Sequence, residues 1–103
     1  MAQFDVHRNP SRTSSADYPY LLDVQSDLIG LLATRVVVPL ARIGLFRPAV
    51  HLYPVFEIEG KAFVMSTSEI AGIAPSALGE HVTSLVTERD TIIAAIDFLI
   101  TGI

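Results

Sequence analysis

The final segment of the sequence, residues 91–103, most constrains the fold because its apolar residues recur with the period of a helix. One apolar stripe contains Leu85, Ile92, Ile96, Leu99 and Ile103, and a second stripe beside it contains Val86, Ile93 and Ile100. Phe98 lies on the opposite side, so the helix is apolar on two faces. We expect its own sheet to cover one face and a second subunit or a foreign partner to cover the other. A core helix in a monomer fits the pattern equally well.

Composition favours one small domain that associates with a copy of itself. The chain has 103 residues, so we expect a single domain over residues 1–103. Hydrophobic residues make up 50% of the sequence and charged residues 17%, which is more apolar surface than so small a body readily buries. This balance predicts an oligomer.

Several classes of protein are disfavoured by what the sequence lacks. It has no Cys, which removes disulfides and thiolate metal sites and favours a cytoplasmic location. Residues 1–10 have no apolar segment typical of a secretory signal, and the C-terminal apolar run is too short to cross a membrane and contains Asp97. A formal net charge of −4 disfavours direct binding of nucleic acid. We therefore expect neither a membrane nor a nucleic acid as a direct partner.

Alternating and β-branched segments predict a mainly β fold that ends in one helix. Short strands are predicted at residues 3–7, 20–25, 36–41, 51–59 and 61–65. The last two should form a hairpin that turns near Gly60, with Pro54 pushing the first arm towards an edge. Polar loops are expected at residues 8–19 and 42–50, and residues 71–79 should be irregular. The final helix should begin near Ser84 or Thr87 and stop at Gly102. A small partly closed barrel with one packed helix uses all these pieces.

No pattern in the sequence indicates catalysis, a metal or a cofactor. His7, His51 and His81 have no second metal ligand at helical spacing, so we expect surface or capped histidines. There is no G-x-S-x-G elbow and no glycine-rich phosphate loop. Glu57 and Glu59 resemble a carboxylate pair, but beside a hairpin turn they favour a solvated face. We expect a protein that is not an enzyme and has no cofactor.

Five sequence tags occur in the order of a known family, and the first is Gln3 and Phe4 at the opening of the first strand. Residues 23–27 read DVQSD and are followed by Leu28 and Ile29, residues 35–41 read R-x-V-x-P-L-A, and residues 52–55 read LYPV. Gly79 and Glu80 then precede a last helix that ends in Gly-Ile. Together these tags resemble the CcdB family, the toxins of type II toxin–antitoxin pairs that poison DNA gyrase.

The resemblance implies a homodimer of small SH3-like, partly closed barrels, each with about five core strands and a C-terminal α-helix. It implies binding to the DNA gyrase A subunit, trapping of gyrase on cleaved DNA, neutralisation by a CcdA-like antitoxin, and transcriptional autoregulation with that antitoxin. The gyrase-binding residues carried over by the resemblance are Thr101, Gly102, Ile103, Ile100, Asp97, Leu28 and Ile29.

Charge partners for an acidic antitoxin tail are expected on the two polar loops, at Arg12, Arg42 and Arg47. The best-known branch of the family ends in Trp-Gly-Ile, whereas this sequence has Thr101 at the position of the Trp. One alternative is therefore a non-toxic homologue that binds an antitoxin as a decoy or co-repressor. Another is a small hydrolase or nuclease, as some compact toxins are, although no basic catalytic cluster is present.

Overall fold

One curled antiparallel sheet and a C-terminal helix make up the described structure. The computed structural model describes residues 2–29, 33–45 and 47–102. Its strands are β1 (Asp5–Arg8), β2 (Tyr20–Asp23), β3 (Arg35–Arg42), β4 (Val55–Ile58), β5 (Lys61–Met65), β6 (Ala71–Ile73) and β7 (His81–Ser84), and its α-helix is α1 (Arg89–Thr101). The prediction of a mainly β chain with one C-terminal helix is confirmed.

Strand β3 organises the sheet, whose order is β4, β5, β3, β2, β1, β7. The β-branched run at residues 36–38 favours an extended chain, and β3 is eight residues long. One of its edges pairs with β2. The other edge pairs with β6 near Arg35 and with β5 near Arg42. Strands β5 and β6 therefore share one edge of β3.

The sheet curls until the tip of the β4–β5 hairpin meets β1 and β2. Glu59 and Gly60 form a two-residue turn in which both φ angles are positive, at 52° and 82°. The Tyr20 hydroxyl donates a 2.5 Å hydrogen bond to the Glu59 carboxylate, and Arg8 lies 3.2 Å from the same group. The hydrogen bond from Tyr20 and the charge of Arg8 hold the pKa of Glu59 below its usual value. This contact joins strands that are separated by β3 in the sheet order.

The concave face of the sheet and one side of α1 enclose the core. Val6, Leu22 and Leu40 are fully buried on adjacent strands, and Ile92 from α1 packs into the same cluster. The helix buries Ile92 and Ala95, while Ile96 and Leu99 are partly buried. The first apolar stripe therefore faces the sheet as predicted, and its last member, Ile103, lies outside the described residues.

The second apolar face of α1 is covered in part by the chain itself. The Phe98 ring stacks on His51, with 5.6 Å between the ring centroids and 22° between their planes. In the neighbouring stripe, Ile93 is partly buried whereas Ile100 is exposed. Within the described residues, both ends of this second stripe, Val86 and Ile100, are therefore exposed, and its middle is partly buried.

The boundaries of several elements differ from the prediction. The strand expected at residues 51–59 begins only at Val55. Pro54 lies just before it and has no backbone N–H to donate to a neighbouring strand. Residues 71–73 pair with β3 and residues 81–84 pair with β1, so the described sheet has seven strands where about five core strands were expected. Ser84 therefore ends a strand, and a 3-10 turn, Val86–Glu88, separates it from α1. Gly102 ends the helix as predicted, with a φ of 74° and a 2.9 Å bond from its N–H to the Phe98 carbonyl.

A surface position, one of the two alternatives expected for the histidines, is wrong for His7, which is buried with its Nδ1 3.1 Å from the carbonyl oxygen of Gly79. His7 is paired with His81 across β1 and β7, and their ring centroids are 5.6 Å apart. This proximity depends on strand pairing over more than seventy positions, so sequence spacing did not reveal it. No cluster of three or more metal-binding side chains occurs in residues 2–29, 33–45 and 47–102. Within the same ranges, no helix has the length and apolarity to cross a membrane.

Candidate functional site

The turn that follows β2 presents two apolar side chains to water. Leu28 is 95% exposed and Ile29 is 49% exposed, and both belong to the 3-10 turn Asp27–Ile29. Burying a leucine or isoleucine side chain is worth about 1.5–3 kcal/mol. Two neighbouring apolar side chains exposed on one turn make this turn a candidate contact surface.

A buried ion pair anchors the start of this turn. Asp23 is the last residue of β2, and its carboxylate accepts hydrogen bonds of 2.9 Å and 2.7 Å from the guanidinium of Arg35 on β3. Both side chains are almost completely excluded from water. The second carboxylate oxygen accepts the backbone N–H of Gln25 at 3.0 Å. Asp23 therefore both joins two strands and bends the chain that leaves β2.

Gln25 connects the turn to β3 through both ends of its buried amide. Its Oε1 accepts the N–H of Val36 at 3.1 Å, and its Nε2 donates to the carbonyl of Ile29 at 3.0 Å. Ser26 adds a 3.2 Å hydrogen bond from the N–H of Leu28 to its Oγ. The polar residues of the DVQSD tag thus fold their own turn.

The chain before β1 holds the other side of the turn. Asp27 Oδ1 accepts the N–H of Gln3 at 2.9 Å, and the Gln3 amide donates to the carbonyl of Val24 at 3.2 Å. Phe4 follows with a φ of 72°, a left-handed conformation that costs a non-glycine residue about 1–2 kcal/mol. Its N–H bonds the Asp23 carbonyl at 2.6 Å, so this strained residue is fixed between the turn and the core.

The last turn of α1 forms a second exposed group. Asp97, Ile100 and Thr101 share one face because they are three or four positions apart, and all three are exposed, with Ile100 76% exposed. Thr101 Oγ1 donates a 2.7 Å hydrogen bond to the Asp97 carbonyl. The last turn of α1 contains no basic residue. The negative end of the helix dipole and the carboxylate of Asp97 therefore both make this end of the helix electrostatically negative. A partner surface that combines apolar and basic groups complements this face.

The predicted residues fall into these two groups. Leu28 and Ile29 lie on the turn after β2, and Asp97, Ile100, Thr101 and Gly102 lie at the end of α1. Ile103, which the resemblance also assigns to gyrase binding, lies outside the described residues.

The three arginines predicted for antitoxin binding lie on the two polar loops or next to them. Arg12 and Arg47 are exposed. Arg42 ends β3, and its Nε donates to the carbonyl of Ala16 at 2.5 Å. Arg42 thereby fastens the loop of residues 9–19 to the sheet. A groove of about 490 Å³ lies between this loop and the β2–β3 surface.

One buried network and one exposed side chain were not predicted from the sequence. No role was predicted for Asp23, Gln25 or Arg35, although polar residues between apolar strand segments were a signal of buried hydrogen bonding. The exposure of Val50, which lies before β4 and is 87% exposed, was not predicted either, although it falls in the loop expected at residues 42–50. No periodicity exists in that loop from which its exposure was predictable.

Comparison with known families agrees with the tags that were read from the sequence. The protein-family model described as CcdB protein matches residues 3–102, which is nearly the whole chain. The match includes the turn after β2 and the described end of α1. The chain therefore belongs to the CcdB family, whose members are toxins of toxin–antitoxin pairs.

Proposed function

We propose that this protein binds the A subunit of DNA gyrase and traps gyrase on cleaved DNA. The observation that carries the proposal is the exposure of Leu28 and Ile100, two apolar side chains that the family resemblance assigns to the gyrase contact. Each lies on an ordered element and not on a loose tail. Such side chains supply the apolar centre of an interface.

The proposed action is binding without catalysis. Gyrase itself breaks and rejoins the DNA, and the toxin needs only a higher affinity for the cleaved state than for the resealed state. A ligand shifts an equilibrium by its difference in affinity for the two states, and about 1.4 kcal/mol of difference changes the ratio tenfold. The acidic chain, with a net charge of −4, then contacts DNA only through gyrase.

We propose that the protein acts as a homodimer in the cytoplasm. A two-fold assembly presents two copies of the end of α1, which suits a target that is itself two-fold symmetric. Val50, Val55 and Ile43 are exposed apolar side chains outside the proposed gyrase contact, and they add to the surface that an assembly can bury.

We propose that a CcdA-like antitoxin neutralises the protein through an acidic, partly disordered segment. Arg12 and Arg47 are exposed cations on separate loops, which suits an extended segment that spans both. Arg42 ends β3, contacts the carbonyl of Ala16 and also contributes charge. Binding of the pair to their own promoter would follow from contacts made by the antitoxin.

Gyrase supercoiling of plasmid DNA tests the proposal. Purified protein, gyrase and ATP are incubated with the plasmid, and linear DNA is scored after denaturation of the enzyme. We expect linear DNA with the wild-type chain and none after deletion of Ile103. Asp90→Ala, an exposed change at the opposite end of α1, is the control and should keep full activity. Absence of both cleavage and inhibition at micromolar wild-type protein would refute the proposal.

A second function is favoured by Thr101. Its hydroxyl bonds the helix backbone, and it lacks the aromatic face with which a Trp stacks on a cation. A non-toxic homologue that binds the antitoxin as a decoy or co-repressor is therefore the alternative. This alternative predicts tight antitoxin binding without growth arrest, and it predicts that Thr101→Trp creates or strengthens gyrase poisoning.

A further inference from the structure

Two of the side chains that shape the turn after β2 lie beneath the surface that the turn presents. Asp23 and Gln25 are buried, whereas Leu28 and Ile29 are exposed. We propose that Asp23, Gln25 and Asp27 are positioning residues, which hold Leu28 and Ile29 in the conformation that a protein partner binds. The inference rests on the proposed function in taking the gyrase A subunit as that partner.

Gln25 makes the most direct connection between the sheet and the contact surface. Its amide bonds the N–H of Val36 on one side and the carbonyl of Ile29 on the other, at 3.1 Å and 3.0 Å. Gln25 as a whole residue is only 3% exposed, so water does not readily replace either hydrogen bond of its side-chain amide. The position of the Ile29 carbonyl is therefore tied to strand β3.

Asp27 fixes the turn from the opposite side. Its carboxylate accepts the N–H of Gln3, a residue 24 positions earlier. The next residue, Phe4, keeps its left-handed conformation while its backbone bonds both the Asp23 carbonyl and the Leu85 N–H. Strained backbone persists only where surrounding contacts determine it, and such residues cluster at functional sites.

An isolated 3-10 turn of three residues has little stability of its own. Its population therefore depends on these side-chain bonds. The apparent affinity for a partner falls in proportion to the population of the binding conformation. If loss of the Gln25 amide reduces that population to about one tenth, gyrase binding weakens about tenfold.

The binding experiment compares Gln25→Met with the wild-type full chain, using purified gyrase A subunit as the partner. Gln25→Met keeps a long side chain but removes both hydrogen bonds. Val64→Ala is the stability control, because Val64 is fully buried in β5, away from the turn. Dissociation constants are measured well below the melting temperatures, so that every sample is folded.

An exposed position supplies a second variant that does not threaten folding. Asp27→Ala removes the acceptor for the Gln3 N–H, whereas Asp27→Asn keeps an oxygen in the same place. We expect Asp27→Ala to weaken binding several-fold and Asp27→Asn to restore most of the affinity. A failure of Asp27→Asn to restore binding would show that charge, and not the hydrogen bond to Gln3, is what the partner requires, and would overturn this part of the proposal.

A spectroscopic measurement tests positioning independently of gyrase. The chain contains no Trp, so Leu28→Trp introduces a single fluorescent reporter on the turn. We expect the time-resolved anisotropy of this reporter to show faster local motion after Gln25→Met and no change after Val64→Ala. If Gln25→Met and Val64→Ala, each combined with Leu28→Trp, show equal local motion of the reporter, the proposal is overturned.

The two measurements separate the possible failures. Weaker binding and a more mobile reporter with Gln25→Met, and neither with Val64→Ala, support the proposal. Wild-type affinity of Gln25→Met would overturn it. If the wild-type chain itself has no affinity for gyrase A subunit, the proposed function is refuted, and the anisotropy comparison decides the positioning proposal.

Discussion

Ile92 and Ile100 are the same residue type on one helix, and replacing each by alanine separates a core contact from a partner contact. Ile92 is 0% exposed in the cluster under the sheet, whereas Ile100 is 76% exposed. An Ile→Ala change at a fully buried site costs about 3 kcal/mol of the free energy of unfolding. For a domain of this size that corresponds to a fall in melting temperature of more than about 10 °C.

The same change at Ile100 should hardly alter stability. Only about a quarter of its side chain is covered, so about 0.5 kcal/mol of burial is lost, and the better helix propensity of alanine offsets most of it. Activity should respond in the opposite way. Loss of a central apolar side chain from an interface costs about 2 kcal/mol, which is about a thirtyfold weaker complex.

Thermal denaturation by circular dichroism and the plasmid linearisation assay measure both effects. We expect Ile92→Ala to melt at a lower temperature but to poison gyrase normally when assayed well below that temperature. Ile100→Ala should melt like the wild type and lose most of its poisoning. Equal losses of melting temperature would refute the assignment of exposure, and full poisoning by Ile100→Ala would refute the assignment of the end of α1 to the gyrase contact.

Three further variants test the framework of the site. Asp23→Asn should lower the free energy of unfolding by about 3 kcal/mol, read from the urea midpoint, because it leaves the buried charge of Arg35 without its ionic partner; an unchanged midpoint would contradict this. Tyr20→Phe should destabilise the protein more near neutral pH than in acid. The hydrogen bond from Tyr20 lowers the pKa of Glu59, so it contributes stability above the usual pKa of 4.5 that is lost as pH falls through the lowered pKa of the folded protein. An equal difference in melting temperature between variant and wild type at neutral and acid pH would refute the coupling. Gly79→Ala should lower the melting temperature, because its Cβ would lie 2.6 Å from a backbone oxygen of β1, and a wild-type melting curve would argue against this close approach.

The buried network also explains why the family tag has its particular residues. Leu28 and Ile29 are the exposed pair that we propose contacts gyrase. The side chains of Asp23 and Gln25 are buried, so they are not available to a partner. The side chains of Asp23 and Gln25 form their hydrogen bonds with Arg35, Val36 and the turn itself. The polar residues of the tag therefore encode the scaffold of the turn that carries Leu28 and Ile29.

The sequence by itself determined the features that depend on neighbouring residues. The 3.6-residue apolar period predicted α1 and the stripe that packs on the sheet, and Gly102 ended the helix as expected because a left-handed residue is favourable for glycine there. Gly60 placed the β4–β5 turn for the same reason. The polar character of residues 8–19 indicated a loop, which the structure has at residues 9–19 after β1 ends at Arg8. The order of the tags identified the family whose model matches residues 3–102.

Only the tertiary structure decided the features that depend on distant pairing. The pairing of β7 with β1 and of β6 with β3 joins segments whose own patterns are too short or irregular to predict a strand. The same pairing buries His7 beside His81. Likewise, Ile92 and Ile100 belong to similar apolar stripes of α1, yet Ile92 packs into the core cluster and Ile100 is exposed. Periodicity shows which residues share a face, but burial of that face depends on what the rest of the chain places against it.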